Sequence, residues 1–251
     1  ALEIYAALAT LAEERNDQVM ALAALQAQAT AYTIPTRIQD VTSARRLIAQ
    51  TLTLARHLND QAAQAKILWT DLILHLYSGS AQEGIPAGEQ SAILARKLGL
   101  QELLAHVLQD LALVYMGASR LREGRATLAE AKPLWQELGN LAMLAENHGH
   151  ACYSQIISGD LSAAIASADE ALQIATRIDN RWGQVNAHAF VALAHLALGE
   201  NDDVWRKTKF GIEAGDEVGH PAYILSRIWR SVLYGNLEDH AGALSLAEEA
   251  D

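Results

Sequence analysis

One cysteine, four prolines and two phenylalanines are all that 251 residues contain of those types, and each scarcity removes a class of structure. Cys152 can close no internal disulfide, so the chain is not a disulfide-stapled scaffold and suits a reducing, cytoplasmic compartment. Aromatics at 6% and so few prolines argue against sheets, where aromatic and β-branched side chains concentrate, and favour close-packed helices. Basic residues are also in deficit: 19 Lys and Arg face 30 Asp and Glu, a formal charge of −11. That field repels phosphate backbones and anionic lipid, so neither nucleic acid nor a membrane surface is an expected partner. Long apolar runs are missing as well. The most apolar stretch, KILWTDLILHLY, is interrupted by Asp71, and nothing reaches the length a bilayer demands.

Sites of chemistry are equally scarce. The sequence holds no GxxxxGK[ST] phosphate loop, no GxGxxG, no HExxH, no paired CxxC and no GxSxG. The expectation is a protein without catalytic activity, cofactor or metal.

What the chain does have is a period. LARHLNDQ at 54–61 returns as LARKLGLQ at 94–101, then more weakly as LWQELGN from Leu134 and IATRIDN from Ile174, forty residues apart each time. A repeat of that length marks a solenoid. One column reads Leu54, Leu94, Leu134, Ile174; four residues on, and so on the same helix face, Leu58, Leu98, Leu138, Ile178, Val218. Turn residues follow at Asn59-Asp60, Gly99, Gly139, Asp179-Asn180 and Gly219, types that accept the left-handed conformation closing a helix. The second helix of each unit is as regular, with Ala65, Ala105, Ala145, Val185, Leu225 and then Leu72, Ala112, Cys152, Ala192, Val232 facing inward. Breaks at Gly79, Gly159 and Gly199 separate the halves, and Pro221 sits where a helix tolerates proline, in its first turn.

The pattern predicts A helices near 18–33, 61–78, 101–117, 141–157, 181–197 and 221–236. B helices follow near 1–15, 38–58, 86–98, 121–138, 161–178, 201–218 and 240–251. Gly84, Pro86 and Gly88 should delay one B helix, and Pro133 should bend another. The fold class is therefore all-α, an α-solenoid of antiparallel helix hairpins over 1–251. It divides into a partial repeat at 1–17, repeats near 18–60, 61–100, 101–140, 141–180 and 181–220, and a partial repeat at 221–251. Neither end carries the polar cap a terminal repeat needs, which reads as a segment of a longer protein.

One unit spells Gly159-Asp160-Leu161 followed by Ala164, Ala168 and Ala171, with Ala151 and Cys152 before it. This resembles the tetratricopeptide repeat, in which small residues at those offsets let the two helices approach closely. The unit departs from the common form in being forty residues long, in holding Leu68, Leu108, His148, His188 and Ile228 at the motif's Trp position, and in Gly84 and Gly124 at its first helix-B alanine. Long units of this texture are similar to the arrays of ATP-dependent LuxR-type bacterial regulators and of ATPase–cyclase fusions. The resemblance implies a superhelix whose A helices line a concave groove. Carried over position by position, it gives groove columns of Lys66, His106, Glu146, Asn186, Ser226, then Trp69, Gln109, Gly149, Ala189, Trp229, then Ile73, Leu113, Tyr153, Leu193, Leu233. Trp69 and Trp229 are the aromatic anchors such a groove would use.

Three other constellations have plainer explanations. His148 and His188 share a column, with His150 and His195 nearby, but helices ~8–10 Å apart do not bring such residues within zinc-ligand distance, so hydrogen-bonded core histidines are expected. DDVWRKTKF at 202–210 interleaves cations with Trp205 and Phe210 yet lies on a B helix as a solvated face. Cys152 falls in a core-facing column, a buried thiol rather than a nucleophile, despite His148 one turn away. The expected function is a non-catalytic protein-interaction or ligand-sensing module of a signalling or transcription-regulatory protein, whose groove takes a peptide, a partner domain or a small inducer. An oligomerisation scaffold with an idle groove is the alternative.

Overall fold

Every twenty residues from 59 to 199 the backbone turns left-handed: Asn59, Gly79, Gly99, Ser119, Gly139, Gly159, Asp179 and Gly199 all have positive φ. The computed structural model describes residues 2–34, 36, 38–218 and 222–248, with the side chains of 215–218, 222, 223 and 246 set aside. Gly219 and Pro221 of the expected final turn, Pro35 of the first hairpin and residues 249–251 lie outside these. After most left-handed residues the next N–H reaches back to a carbonyl five positions earlier, as from Asp60 to Ala55 (2.9 Å), Leu100 to Ala95 (2.9 Å) and Asp160 to Gln155 (2.9 Å). That bond closes one helix. The same residue often opens the following helix: the Asp60, Asn140, Asp160 and Asn180 side chains each accept an N–H from the first turn ahead. A stop and a start within two residues make the hairpins tight.

The helices are α1 (Leu2–Glu14), α2 (Gln18–Thr33), α3 (Val41–His57), α4 (Gln61–Tyr77), α5 (Ile85–Leu98), α6 (Gln101–Gly117), α7 (Leu121–Glu137), α8 (Leu141–Ile157), α9 (Leu161–Arg177), α10 (Arg181–Leu198), α11 (Asn201–Val218), α12 (Ala222–Asn236) and α13 (His240–Glu248). A short 3-10 helix at Ala81–Gly84 precedes α5, where Pro86 occupies the first turn. The α7 helix runs unbroken through Pro133.

Two units divide the chain, Ala1–Leu134 and Trp135–Asp251. In the first, each helix of α1 to α6 packs on the next, and the A helices also touch one another, α2 on α4 and α4 on α6. In the second, α8 to α13 pack in succession and α10 touches both α8 and α12. Both units are thus stacks of antiparallel helix hairpins in which A helices form a layer of their own. Alanines hold the layers close: Ala29 and Ala44 pack with Leu47, Ile48, Ile67 and Leu74 in the first unit, and Ala164 and Ala168 with Cys152, Val191 and Ala194 in the second. Burying Ile67, Leu72 and Leu74 completely contributes about 1.5–3 kcal/mol for each side chain. Gly124 shows why alanine is not always small enough, since a Cβ there would stand 2.9 Å from the Ala112 carbonyl oxygen.

Helix α12 departs from the forty-residue register. Leu225 and Val232 were expected inside, yet Val232 is 41% exposed and the buried positions are Ser226, Arg230 and Leu233. The inward face has slipped by one residue, about 100° around the helix axis. Arg230 explains how the slip is accommodated: its guanidinium stacks 3.6 Å from the Trp205 ring, and Nε donates to Thr208 Oγ1 at 2.6 Å.

Candidate binding site

Lys66 and Trp69 lie three residues apart on α4, so they share a face. That face opens on a cavity of about 680 Å³ between α2, α4 and α6. Gln26 enters from α2, Asp60, Ala62 and Ala63 from the start of α4, and Glu102, Leu103 and His106 from α6. The volume is in the range of small-molecule and peptide sites.

An aromatic wall forms one side. The rings of Trp69 and His106 are 5.1 Å apart between centroids and inclined at 32°. Burial holds His106 below the ordinary imidazole range, with Glu102 opposing the shift, so the ring is neutral at pH 7. Behind the wall, the indole N–H of Trp69 donates to Asp110 Oδ2 at 2.7 Å. Burial pushes the Asp110 carboxyl up to about 7, against the lowering effect of that hydrogen bond. The mouth is polar. Lys66 is exposed, Asp60 is committed to the Ala63 N–H at 2.9 Å, and Gln26 Nε2 is a buried donor without a hydrogen-bond acceptor. An occupant therefore meets an aromatic shelf and a cation, a combination that selects by charge as well as by area.

Of the fifteen residues in the expected groove columns, Lys66, Trp69 and His106 do meet around this one cavity. Gln109 does not: it is 1% exposed, because α6 is covered on most of its circumference and position 109 faces inward along with Val107, Leu108 and Leu111. In the second unit Glu146 and Asn186 line a cleft of about 10 Å³ with Trp182 and Phe190, room for about one water molecule. Tyr153 stands 37% exposed on α8 and lines neither space. Trp229 is half-buried, and the slip of α12 gives it the place that Leu68 and Leu108 hold in earlier repeats rather than that of Trp69. Ser226, Gly149, Ala189 and Leu233 are likewise buried, not groove-lining. Asp110, Gln26 and Glu102 went unnoticed in the sequence. A lone acidic residue in the apolar run QDLALVYMG was the available sign.

The remaining constellations are structural. His188 packs 4.1 Å from the Phe210 ring centroid, its Nδ1 lacks a hydrogen-bond partner, and burial with Lys207 and Arg181 lowers it to about 4. Aromatic contact replaces the expected hydrogen bond. Burial also lowers His150 to about 4 and raises the Cys152 thiol to about 12, whose Sγ–H points at the Phe190 carbonyl 3.7 Å away. His195, Glu200 and Asp203 bring ligand atoms within 4.8 Å of one another, but His195 pairs with Glu200 and Asp203 with Arg206. In the 202–210 stretch Arg206 and Lys209 are paired with Asp203 and Glu213.

No protein-family model and no curated protein matches the chain. Solved structures do match. BtubC from P. vanneervenii superposes with a TM-score of 0.71 at 14% identity, covering 87% of this chain and 91% of that one. The apo form of RapI gives 0.70 at 10%, covering 99% and 97%. A Signal Transduction ATPase with Numerous Domains from Pyrococcus horikoshii, which carries a tetratricopeptide repeat sensor, gives 0.67 at 15% over 93% of this chain. The fold is tetratricopeptide-like. This chain spans 36% of the Pyrococcus protein. Tetratricopeptide-like stacking accounts for the small residues at Ala164, Ala168 and Ala171, all buried to 1% or less. Among the described residues no helix is long and apolar enough to cross a membrane.

Proposed function

We propose that the chain is a non-catalytic recognition module and that the cavity between α2, α4 and α6 is where its ligand binds. One observation carries the reading: Lys66, Trp69 and His106, singled out through the tetratricopeptide resemblance, surround a single cavity. The fitting occupant presents an apolar or aromatic group to the Trp69–His106 shelf and a carbonyl or carboxylate oxygen to Lys66 Nζ. A peptide segment of a partner protein satisfies both demands, as does a small inducer of the same chemistry. The tetratricopeptide sensor of the Pyrococcus ATPase supports placing the module in a cytoplasmic signalling or transcription-regulatory protein. There, occupancy would bias whatever domains the module is joined to.

Calorimetric titration with a panel of N-acetylated tripeptide amides spanning the aromatic and aliphatic side chains tests the reading. The panel should contain binders whose affinity drops about tenfold in Lys66→Ala or His106→Ala, a loss near 1.4 kcal/mol. A panel without binders, or binders indifferent to both substitutions, would overturn it.

A further inference from the structure

Asp110 is a half-buried acid that accepts from the indole of Trp69, the ring that forms the cavity wall. Among the described residues no cation forms an ion pair with it. On α4 the ionisable neighbours are Lys66 at the cavity mouth and the Asp71–His75 pair, and on α6 they are Glu102 and His106. On α5, Glu89 accepts from the Tyr115 hydroxyl at 2.6 Å and Arg96 is paired with Glu130 of α7 at 2.6 Å. Burial raises the Asp110 carboxyl and the Trp69 N–H opposes that rise. A structural acid would sit in a salt bridge or a multiply donated cap, as Asp40 does with the N–H groups of Thr42 and Ser43. Among the described residues Asp110 has neither, and it holds the indole of the ligand shelf.

We propose that the cavity is proton-gated: one proton at Asp110 sets how firmly the Trp69 indole is held, and so how well the aromatic wall is organised for an occupant. With Asp110 charged, the N–H···O⁻ bond is charge-assisted and short, fixing the ring against His106. With Asp110 neutral, the acceptor weakens and the ring is released toward the cavity. A pre-organised wall binds better because less freedom is lost on binding, so affinity rises with pH. The burial that lifts this carboxyl places the change near neutral pH, where a cell-interior sensor can use it. This inference rests on the cavity being the binding site, but its first test needs no ligand.

The indole N–H resonances of the whole chain, labelled with ¹⁵N-tryptophan and assigned through Trp69→Phe, are followed from pH 5 to 9. The Trp69 signal should titrate with a midpoint near 7. Asp110→Asn keeps the shape and an acceptor but not the charge, and it should abolish the titration. His106→Gln should leave it in place. A Trp69 signal that stays still, one that still titrates in Asp110→Asn, or one silenced by His106→Gln instead would each overturn the proposal. For any tripeptide amide that binds, affinity should rise roughly threefold or more from pH 6 to pH 8, and Asp110→Asn should remove that dependence. A titrating indole without any binder would count against the cavity as a binding site, while a pH-independent binder would count against the gate.

Discussion

The Trp69 indole donates to the Asp110 carboxylate at 2.7 Å across forty-one positions of sequence, tying two successive A helices together behind the cavity. From α4 to α10 the same column holds a different residue in each repeat, Thr70, Asp110, His150 and Phe190. In the first unit it puts an acid behind a half-buried aromatic shelf.

The desolvation of Asp110, which outweighs this hydrogen bond, makes stability fall as pH rises. The Asp110 carboxyl is raised from 3.8 to about 7 in the fold, so the folded state keeps its proton where the unfolded chain has lost it. The stabilisation is complete below about pH 4 and is lost as pH climbs through about 7. Urea unfolding at pH 5 and pH 8 should differ by on the order of 1–3 kcal/mol more in the wild type than in Asp110→Asn. Identical pH profiles for the two proteins would contradict this account.

The second unit carries the opposite dependence. His188 and His150 are lowered to about 4 from 6.5, so they stay neutral in the fold while the unfolded chain takes up protons. Their contribution is present above about pH 6.5 and is lost as pH falls toward 4. His188→Phe, which keeps an aromatic partner for Phe210, should reduce the acid-side loss by on the order of 1–2 kcal/mol. Urea midpoints at pH 4.5 and pH 7.5 provide the comparison.

Gly124→Ala pits propensity against space. In an exposed helix interior alanine is better by about 1 kcal/mol. Here its Cβ meets Met116 Cγ at 2.7 Å and the Ala112 carbonyl oxygen at 2.9 Å, and a backbone oxygen cannot step aside. Overpacking of that kind costs about 1–3 kcal/mol, so the variant should melt lower than the wild type. A higher melting temperature would contradict this close approach of α6 and α7.

Ser119→Gly should do the reverse. Ser119 holds φ at +61° where the other A-to-B turns of the series at 79, 159 and 199 use glycine. Relieving a left-handed serine is worth about 1 kcal/mol before the entropy cost of glycine, so a small rise in thermal midpoint is expected.

The fold was legible because its punctuation is chemical. Asn59, Gly99, Gly139 and Asp179 announce helix ends through the conformation they accept, and Asp60, Asn140 and Asn180 announce the next start through the hydrogen bond they accept. Ser119 escaped notice since serine has no preference for that conformation. The site was half legible. Column arithmetic assumes that position 109 faces where position 69 does, and it fails when a helix is covered more fully, as α6 is at Gln109. It fails again at Ser226 and Trp229, where α12 turns by one residue to bury Arg230 against Trp205. Asp110 was hidden for another reason: its role depends on an indole one repeat away, and no local pattern encodes that meeting.

The central claim is that ligand binds at Trp69. Incorporating 5-fluorotryptophan into the whole chain gives each of its five tryptophans its own ¹⁹F reporter, and titration with the tripeptide amide panel then asks which one senses the ligand. The account predicts that the Trp69 resonance moves first and saturates with the calorimetric affinity, while Trp205 and Trp229 stay still. Movement of Trp229 or Trp205 with Trp69 unchanged would contradict it.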